Sequence, residues 1–215
     1  MPWTFPRIYP ILDSSQIPAT ARDIFLRRLG ASLTDAGVTL LEYRNKTGPD
    51  TEIRTDAEAL RAGLPAGQVK LILDDRADLV DALGFDGVHV DAGDVPVREA
   101  RRLVGSSRIV GTFAGSDALI PGILAEPADY FAIGPVFITT TKQTDKRPIG
   151  VDGVRRLRAE AGPGIVLTAA AGITFETAAA VLQAGATAVA VSAAIFHAPD
   201  PAAEFRRWFA ALDRI

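Results

Sequence analysis

The sequence predicts a single-domain (β/α)8 barrel, or TIM barrel, over residues 1–215. Short β-rich segments alternate with segments whose apolar residues recur at helical spacing, which is the pattern of parallel βα units. The β-rich segments number eight and are continuously apolar, as strands are when helices cover both faces of a sheet. The length of 215 residues is near the lower end of what eight such units need. An open, doubly wound sheet is the competing architecture.

The elements follow one another in a regular order. The predicted strands are Ile8–Leu12, Val38–Tyr43, Val69–Leu73, Gly87–Val90, Arg108–Gly111, Tyr130–Ile133, Ile165–Thr168 and Thr187–Val191. Segments at helical spacing between them include Ala19–Asp35, Ala77–Leu83, Val97–Val104 and Phe175–Gln183. Three junctions between a helix and the next strand carry a glycine, at Gly37, Gly84 and Gly185. Glycine suits the left-handed residue that closes a helix, so the repeat supports a barrel, although any such junction has this pattern.

Composition and charge exclude several classes of protein. The proportions of apolar residues (48%) and charged residues (23%) are those of a globular domain. The net charge of −3 gives no general reason to expect nucleic-acid binding, so any cationic site must be local. The absence of cysteine excludes disulfides and thiolate chemistry. Residues Met1–Thr4 do not begin a signal peptide, and no apolar run reaches the roughly 18 residues of a membrane helix. We therefore expect a cytoplasmic protein with no membrane partner.

Cationic side chains follow the second strand. Arg44 and Lys46 are two residues apart at an extended strand end, so they should point the same way and could bind a phosphate or pyrophosphate. A solvated loop with two charges is the alternative. The polar stretch Arg44–Asp56 is the longest in the chain, and we predict that it is a functional loop.

Carboxylates follow the third and fourth strands. Asp74 and Asp75 end one strand and Asp94 follows the next, so in a barrel they should lie close together. Hard oxygen ligands beside phosphate-binding cations are a usual setting for Mg²⁺. Capping of a helix N-terminus is the alternative for Asp75 and Asp94.

The loops after the last three strands offer further candidates. After the sixth strand, Thr139, Thr141 and Lys142 could close over a phosphorylated substrate, within a predicted functional loop 139–148. An exposed threonine-rich turn is the alternative. Gly172 and Ser192 fall in the loops after strands seven and eight, where barrels of this class recurrently bind phosphate.

Histidine is scarce, which bears on acid–base chemistry. The only two are His89 and His197, and neither lies in a pattern that would support a hydrolytic triad. His89 could still line a pocket for a ring.

Taken in order, these segments resemble the thiamine-phosphate synthase family, also called thiamine-phosphate pyrophosphorylase, over nearly the whole chain. The segments that carry the resemblance are Arg44-x-Lys46, Asp74-Asp75-Arg76, Asp86–Val90 followed by Asp94, Gly134–Phe137, and Thr139-x-Thr141-Lys142. The resemblance implies a transferase that condenses hydroxymethylpyrimidine pyrophosphate with thiazole phosphate and releases pyrophosphate, by a Mg²⁺-dependent dissociative substitution.

The resemblance also implies roles for these residues. Arg44, Lys46 and Lys142 would clamp the pyrophosphate, and Asp75 and Asp94 would hold Mg²⁺. The second substrate and its phosphate would contact three residues, Thr139, Thr141 and Gly172.

Several positions depart from the family pattern. Glu42 stands where the family usually has Gln, and would put negative charge near the pyrimidine or pyrophosphate. The other departures are Asp74 for Asn, Phe113 for Ser, Ala171 for Gly and Ala193 for Ser, with Ser192 one position earlier.

Three other functions remain open from the sequence. A thiazole tautomerase, a sister branch of the family, needs a titratable base, and residues 111–115 contain no His. A non-catalytic protein that binds a thiamine precursor would be consistent with Phe113, Ala171 and Ala193. A phosphosugar isomerase would need a Glu or Cys base, for which only Glu42 is placed. The sequence also leaves open whether the chain forms a homodimer.

Overall fold

The strands close into a barrel. The computed structural model describes residues 4–65, 67–91, 93–139 and 145–215. Eight parallel strands pair in chain order, and the last strand pairs with the first. Closure confirms the predicted (β/α)8 fold and excludes the open sheet. The strands are β1 Ile8–Asp13, β2 Leu40–Arg44, β3 Lys70–Asp74, β4 Gly87–Val90, β5 Ile109–Gly115, β6 Tyr130–Ile133, β7 Leu167–Ala170 and β8 Ala188–Val191.

The helices surround the barrel. They are α1 Arg22–Asp35, α2 Asp50–Gly63, α3 Val97–Val104, α4 Gly150–Ala161, α5 Phe175–Gln183, α6 Ala193–Phe196 and α7 Pro201–Leu212. The predicted bounds of α3 and α5 are correct. In the part of the chain that the structure describes, no helix is both long and apolar enough to cross a membrane.

Several strands begin one or two residues later than predicted, as β7 does at Leu167 rather than Ile165, and three other predicted segments differ more. The segment Ala77–Leu83 forms a short 3-10 turn at Ala77–Leu79 and then further turns, because the chain leaves β3 through Asp75 in a left-handed conformation (φ 65°). The helix predicted from Ala19 begins only at Arg22. The polar stretch Arg44–Asp56 is a loop only as far as Pro49, since α2 begins at Asp50 with two acidic residues in its first turn, which suit the positive end of the helix dipole.

Apolar side chains fill the lower part of the barrel interior, and a cavity lies above them at the mouth. Residues i and i+2 of a strand share a face, so Leu40 lies below Glu42 on β2, and Ile72 lies below Asp74 on β3. Leu40 and Ile72 are fully buried in one small apolar cluster with Tyr9. Apolar residues therefore form the lower layers, and polar residues begin where the strands end.

The three glycine junctions confirm the internal repeat. Gly37, Gly84 and Gly185 all have positive φ, at 91°, 66° and 106°. At each junction, the amide of the next residue donates to the carbonyl five residues earlier, as in Val38 to Leu33 at 3.0 Å. At Gly37 and Gly185, which follow α1 and α5, this is the glycine-closed helix end that the pattern predicts, whereas Gly84 closes a series of turns.

A second repeat fastens the amino end of the barrel. Asp86, immediately before β4, accepts the amide of Leu71 in β3 at 2.9 Å and the guanidinium of Arg61 in α2 at 2.6 Å. The same arrangement recurs before β6, where Asp129 accepts the amide of Val110 and the guanidinium of Arg101. It recurs again before β8, where Thr187 accepts the amide of Leu167 and the guanidinium of Arg158. We call these three arrangements the arginine staples. They join a helix to two strands far from the mouth.

We predict that Asp86→Ala lowers the stability of the fold and leaves chemistry at the mouth intact. The substitution leaves the amide of Leu71 without its acceptor and removes the carboxylate partner of Arg61, which keeps only backbone carbonyls such as that of Gly84, and this costs about 1–3 kcal/mol. Urea unfolding would measure the loss, and activity per folded molecule should not change. The control is Asp152→Ala, whose side chain is 95% exposed, and its midpoint should match wild type. Equal midpoints for all three proteins would contradict the staple.

Candidate active site

One cavity occupies the mouth at the carboxyl ends of the strands. Its volume is about 790 Å³, which is within the usual range for a small-molecule site. The predicted site residues that line it are Glu42, Arg44, Asp74, Thr139, Gly172 and Ser192. Thr141 and Lys142 were also predicted to belong here, and they lie outside the described residues. The cavity therefore brings together residues from the ends of β2, β3, β6, β7 and β8.

Arg44 and Lys46 converge on one buried carboxylate, Asp74. Arg44 Nε lies 3.3 Å, and Lys46 Nζ 3.1 Å, from Asp74 Oδ2. The side chain of Asp74 is only 4% exposed, whereas those of Arg44 and Lys46 are 21% and 30% exposed. The two cations thus share an anchor inside the barrel and keep part of their surface at the mouth.

Neighbouring polar residues hold this group in place. Asp13, at the end of β1, forms an ion pair with Arg44 and also accepts the amide of Ser15 at 3.0 Å. Asn45 accepts the amide of Gly48 at 2.7 Å and donates to Glu52 in α2 at 2.8 Å. The loop that carries both cations is therefore fixed on two sides.

Asp75 and Asp94 meet beside Lys46. Lys46 forms an ion pair with Asp75, and the Asp75 carboxyl is near enough to Asp94 to act on its pKa. Burial, followed by the neighbouring Asp75 carboxyl, raises the pKa of Asp94 to about 6. Neither residue caps a helix, since the residues at the capping positions are Arg76 and Pro96. The structure thus does not support the capping alternative.

The floor of the cavity carries a chain of hydrogen-bonded polar side chains. The hydroxyl of Tyr9 donates to Glu42 Oε2 at 2.5 Å and lies 2.7 Å from the hydroxyl of Tyr130. The Tyr130 hydroxyl lies 3.0 Å from Nδ1 of His89, whose Nε2 lies 3.4 Å from Asp91 Oδ1. Glu42, His89 and Asp91 all line the cavity. The floor is therefore polar and connected, although each of its rings is buried.

Burial and charge shift the titration of the floor. Burial is the main cause that raises the pKa of Glu42 to about 7, and the charges of Asp74 and Asp91 act in the same direction. Burial alone would lower the pKa of His89, but its contact with Asp91 and the charge of Glu42 outweigh burial and raise the pKa to about 9. Near neutral pH, His89 is therefore a cation and a poor base.

The wall opposite the two cations is formed by backbone. Ala171 and Gly172 follow β7 with φ of 74° and 69°. The segment after β6 is hydrogen-bonded to this turn, with the amide of Phe137 donating to the carbonyl of Ala171 at 3.1 Å. A Cβ on Gly172 would lie 2.4 Å from the carbonyl oxygen of Ile138, so close approach of the two loops requires glycine there. In the next loop, the hydroxyl of Ser192 accepts a hydrogen bond from Nε2 of Gln16 at 3.0 Å.

Phe113 lies at the edge of the cavity, in contact with the side chain of Lys146. The ammonium of Lys146 lies 3.9 Å from the centroid of its ring, a cation–π contact. Both residues also line a neighbouring surface cavity of about 410 Å³. The aromatic ring at this position therefore places a further cation beside the mouth.

Several residues of the site were not predicted from the sequence. They are Tyr9, Asp13, Asn45, Asp91, Tyr130 and Lys146. A signal for two of them was present, because Tyr9 and Tyr130 are polar aromatics inside apolar strands and fall on the inward face by strand alternation. Asp13 and Asp91 also end or follow a strand, where barrels place functional side chains.

Comparison with known proteins identifies the family of the chain. A model of the thiamine monophosphate synthase family matches residues 8–195. The chain belongs to this family. It is 38% identical over 201 residues to the thiamine-phosphate synthase of Koribacter versatilis, covering 93% of this chain and 94% of that protein. It is also 38% identical over 180 residues to the thiamine-phosphate synthase of Agrobacterium fabrum, covering 82% of each.

A solved structure supports the fold. The thiamine phosphate pyrophosphorylase of Pyrococcus furiosus superposes with a TM-score of 0.71 and 24% identity, over 96% of both chains. The sequence prediction of the thiamine-phosphate synthase family is thus confirmed, and the chain is a transferase of thiamine biosynthesis.

We predict opposite effects for substitutions at two adjacent positions of the β7 turn. Ala171→Gly relieves a left-handed alanine and should stabilise the fold by up to about 1 kcal/mol. Gly172→Ala forces a Cβ against the carbonyl of Ile138 and should destabilise it by about 1–3 kcal/mol. Urea unfolding measures both. Changes of the same sign would show that the turn is not held as described.

We predict that Glu42→Gln changes how stability depends on pH. With its pKa raised from 4.5 to about 7, folded Glu42 keeps a proton that the unfolded chain loses between those values. Wild-type stability should therefore fall as pH rises through this window, by about 1–3 kcal/mol relative to Glu42→Gln. Unfolding midpoints of both proteins at pH 5 and pH 8 provide the measurement. Parallel pH profiles would contradict the raised pKa.

Proposed function

We propose that this protein is a thiamine-phosphate synthase. It would join hydroxymethylpyrimidine pyrophosphate to thiazole phosphate and release pyrophosphate. The observation that supports this most is the division of one cavity, with Arg44 at one edge and Lys46 beside it on the same carboxylate, Asp74, a polar floor beneath, and Gly172 opposite. Such a cavity can hold two ligands side by side, each with its own anionic end.

The cationic edge suits the leaving group. In a dissociative substitution, negative charge builds up on the departing pyrophosphate, and pre-positioned cations stabilise it. Arg44 offers a planar fork of donors for this purpose, and Lys46 offers a mobile point charge. We propose Lys142 as the third cation, since it follows the threonines of the loop after β6.

Asp75 and Asp94 are the residues that would hold Mg²⁺. Their carboxyl groups follow neighbouring strands, and the negative charge of Asp75 is among the causes that raise the pKa of Asp94, so a divalent cation between them would relieve that repulsion. Among the described residues, no group of three or more acidic or histidine side chains forms a complete metal site, so the remaining ligands would come from substrate phosphate and water. Bound there, Mg²⁺ would neutralise charge on the pyrophosphate.

The remaining residues position the two rings. We assign Glu42 and Asp74, on the floor, to the pyrimidine. Thr139 lines the cavity on the β6 side, and with Thr141 it would contact the thiazole. Gly172 and Ser192 lie where the thiazole phosphate would reach the backbone of the β7 and β8 loops.

The departures from the family pattern are compatible with a second function. Phe113 carries no hydroxyl for a phosphate, which would suit a protein that binds a thiamine precursor without turning it over. A tautomerase is less compatible with the site, because the histidine that lines the cavity, His89, is held as a cation by Asp91.

Release of pyrophosphate tests the proposal. With both substrates and Mg²⁺, wild type should form equal amounts of thiamine phosphate and pyrophosphate, and EDTA should stop the reaction. Lys142→Ala and Asp94→Ala should each lose on the order of 10²–10³-fold in turnover while remaining folded. Lys70→Ala is the matched control, since Lys70 pairs with Asp86 at the other end of the barrel, and it should keep its activity.

Two outcomes would contradict the proposal. Tight binding of either substrate without product would indicate the binding protein. Full activity in Lys142→Ala or in Asp94→Ala would remove that residue from the site.

A further inference from the structure

The ring of Phe113 lies above the floor of the cavity, on the inward face of β5. Gly111, two residues earlier, shares that face, and a Cβ there would lie 1.9 Å from Cζ of Tyr130. Glycine thus leaves room for the floor, and Phe113 is the next inward residue towards the mouth. Its ring is half-buried and lines both the main cavity and the neighbouring surface cavity of about 410 Å³. Phe113 therefore borders both cavities.

The charged side chains around Phe113 are distributed unevenly between the two cavities. The neighbouring cavity is lined by two carboxylates and two cations, which are Asp117, Asp145, Lys146 and Arg147. Of these four residues, Lys146 is the one that also lines the main cavity. Its Nζ lies 3.9 Å from the centroid of the Phe113 ring, well within the range of a cation–π contact. From this group of four, the main cavity thus receives only positive charge.

An aromatic ring holds an ammonium group without neutralising it. A carboxylate partner cancels the charge of a lysine, whereas the negative face of a ring attracts the ammonium and carries no net charge. The long stem of lysine also has much rotamer freedom, which is lost when the ammonium binds an anion. A contact that restricts the stem in advance lowers that cost. Phe113 therefore restricts Lys146 through a contact that does not itself cancel its charge.

Lys146 reaches the ligand space from a different side than the cations held by Asp74. Those cations come from the end of β2, whereas Phe113 lies on β5, and β3 and β4 lie between these two strands in the barrel. The proposed Mg²⁺ ligands, Asp75 and Asp94, follow β3 and β4. An anion bound beside these carboxylates through Mg²⁺ would therefore have a cation on each flank.

We propose that Lys146, positioned by the ring of Phe113, is a further cation of the pyrophosphate site and stabilises the departing pyrophosphate from the β5 side. This inference rests on the proposed function, to which it adds one residue that touches the leaving group and one that positions it. The carbon–oxygen bond of the pyrimidine substrate breaks with its electron pair going to pyrophosphate, and the thiazole nitrogen forms the new bond to that carbon. Lys146 meets the charge that builds up on the leaving oxygen atoms.

Calorimetric titration of pyrophosphate with Mg²⁺ into the full-length protein tests the role of Lys146. Lys146→Met removes the charge and keeps most of the length of the side chain. It should weaken binding by about fivefold or more, because a charge-assisted contact is lost. Arg147→Met is the matched control, since this adjacent cation lines the neighbouring cavity and not the main one, and its affinity should stay within about twofold of wild type.

Substitutions of Phe113 test its positioning role. Phe113→Leu should weaken pyrophosphate binding by about threefold, the loss expected for one cation–π contact. Combined with Lys146→Met, it should have no further effect, because the ring acts through the ammonium. Phe113→Tyr keeps the ring face and should bind as wild type does. A merely structural role of the ring would instead give the same loss with and without Lys146.

Several results would overturn the inference. They are no binding of pyrophosphate by wild type, unchanged affinity in Lys146→Met, an equal loss in Arg147→Met, additive effects of Lys146→Met and Phe113→Leu, and a loss in Lys146→Met that affects only thiazole phosphate, titrated in the same way. If Arg44→Met weakens pyrophosphate binding and Lys146→Met does not, the inference fails and the proposed function stands. If Lys146→Met weakens binding but wild type forms no thiamine phosphate, the synthase reaction is refuted and Lys146 remains in the pyrophosphate site.

Discussion

The ion pairs between Asp74 and the two cations Arg44 and Lys46 organise the mouth of the barrel. A carboxylate that is only 5% exposed needs compensating charge, and the two cations supply it from the end of the adjacent strand. Asp74 also holds the two long side chains in place, Arg44 at the edge of the cavity and Lys46 beside it, without any ligand. Asp13 and Asn45 secure the same loop from outside, so the cationic edge is pre-organised by the sheet rather than by the substrate.

Stability and chemistry are kept at opposite ends of the barrel. The arginine staples at the amino end join helices to strand pairs through acceptors such as Asp86 and Asp129, and none of their members lines the cavity. At the carboxyl end, carboxyl groups are buried together, and left-handed residues such as Asp75 and Ala171 carry strain. The hydrogen bonds at the amino end stabilise the fold through residues separate from the charged groups at the mouth.

The fold could be predicted because the strands and most of the helices have a local signal, such as an apolar run or a closing glycine like Gly37. The cationic loop could be located because Arg44 and Lys46 follow a strand. The floor could not be predicted, because its contacts depend on closure of the barrel. Tyr9 contacts Glu42, which is 33 residues away in the sequence, and Tyr130, which is 121 residues away. The role of Asp74 as an anchor for the cations depends likewise on the pairing of β2 with β3. The polar stretch after Arg44 was interpreted as one long loop because its helical part is also rich in charge.

We propose that the cations held by Asp74 form the pyrophosphate site, and calorimetric titration of pyrophosphate with Mg²⁺ tests this most directly. Wild type should bind one pyrophosphate, more weakly as salt is added, because screening reduces the attraction between charges. Arg44→Met should weaken binding by about tenfold or more, as expected for loss of a charge-assisted hydrogen bond, while Lys70→Met should not. Equal affinity in wild type and Arg44→Met would show that pyrophosphate binds elsewhere and would contradict the account.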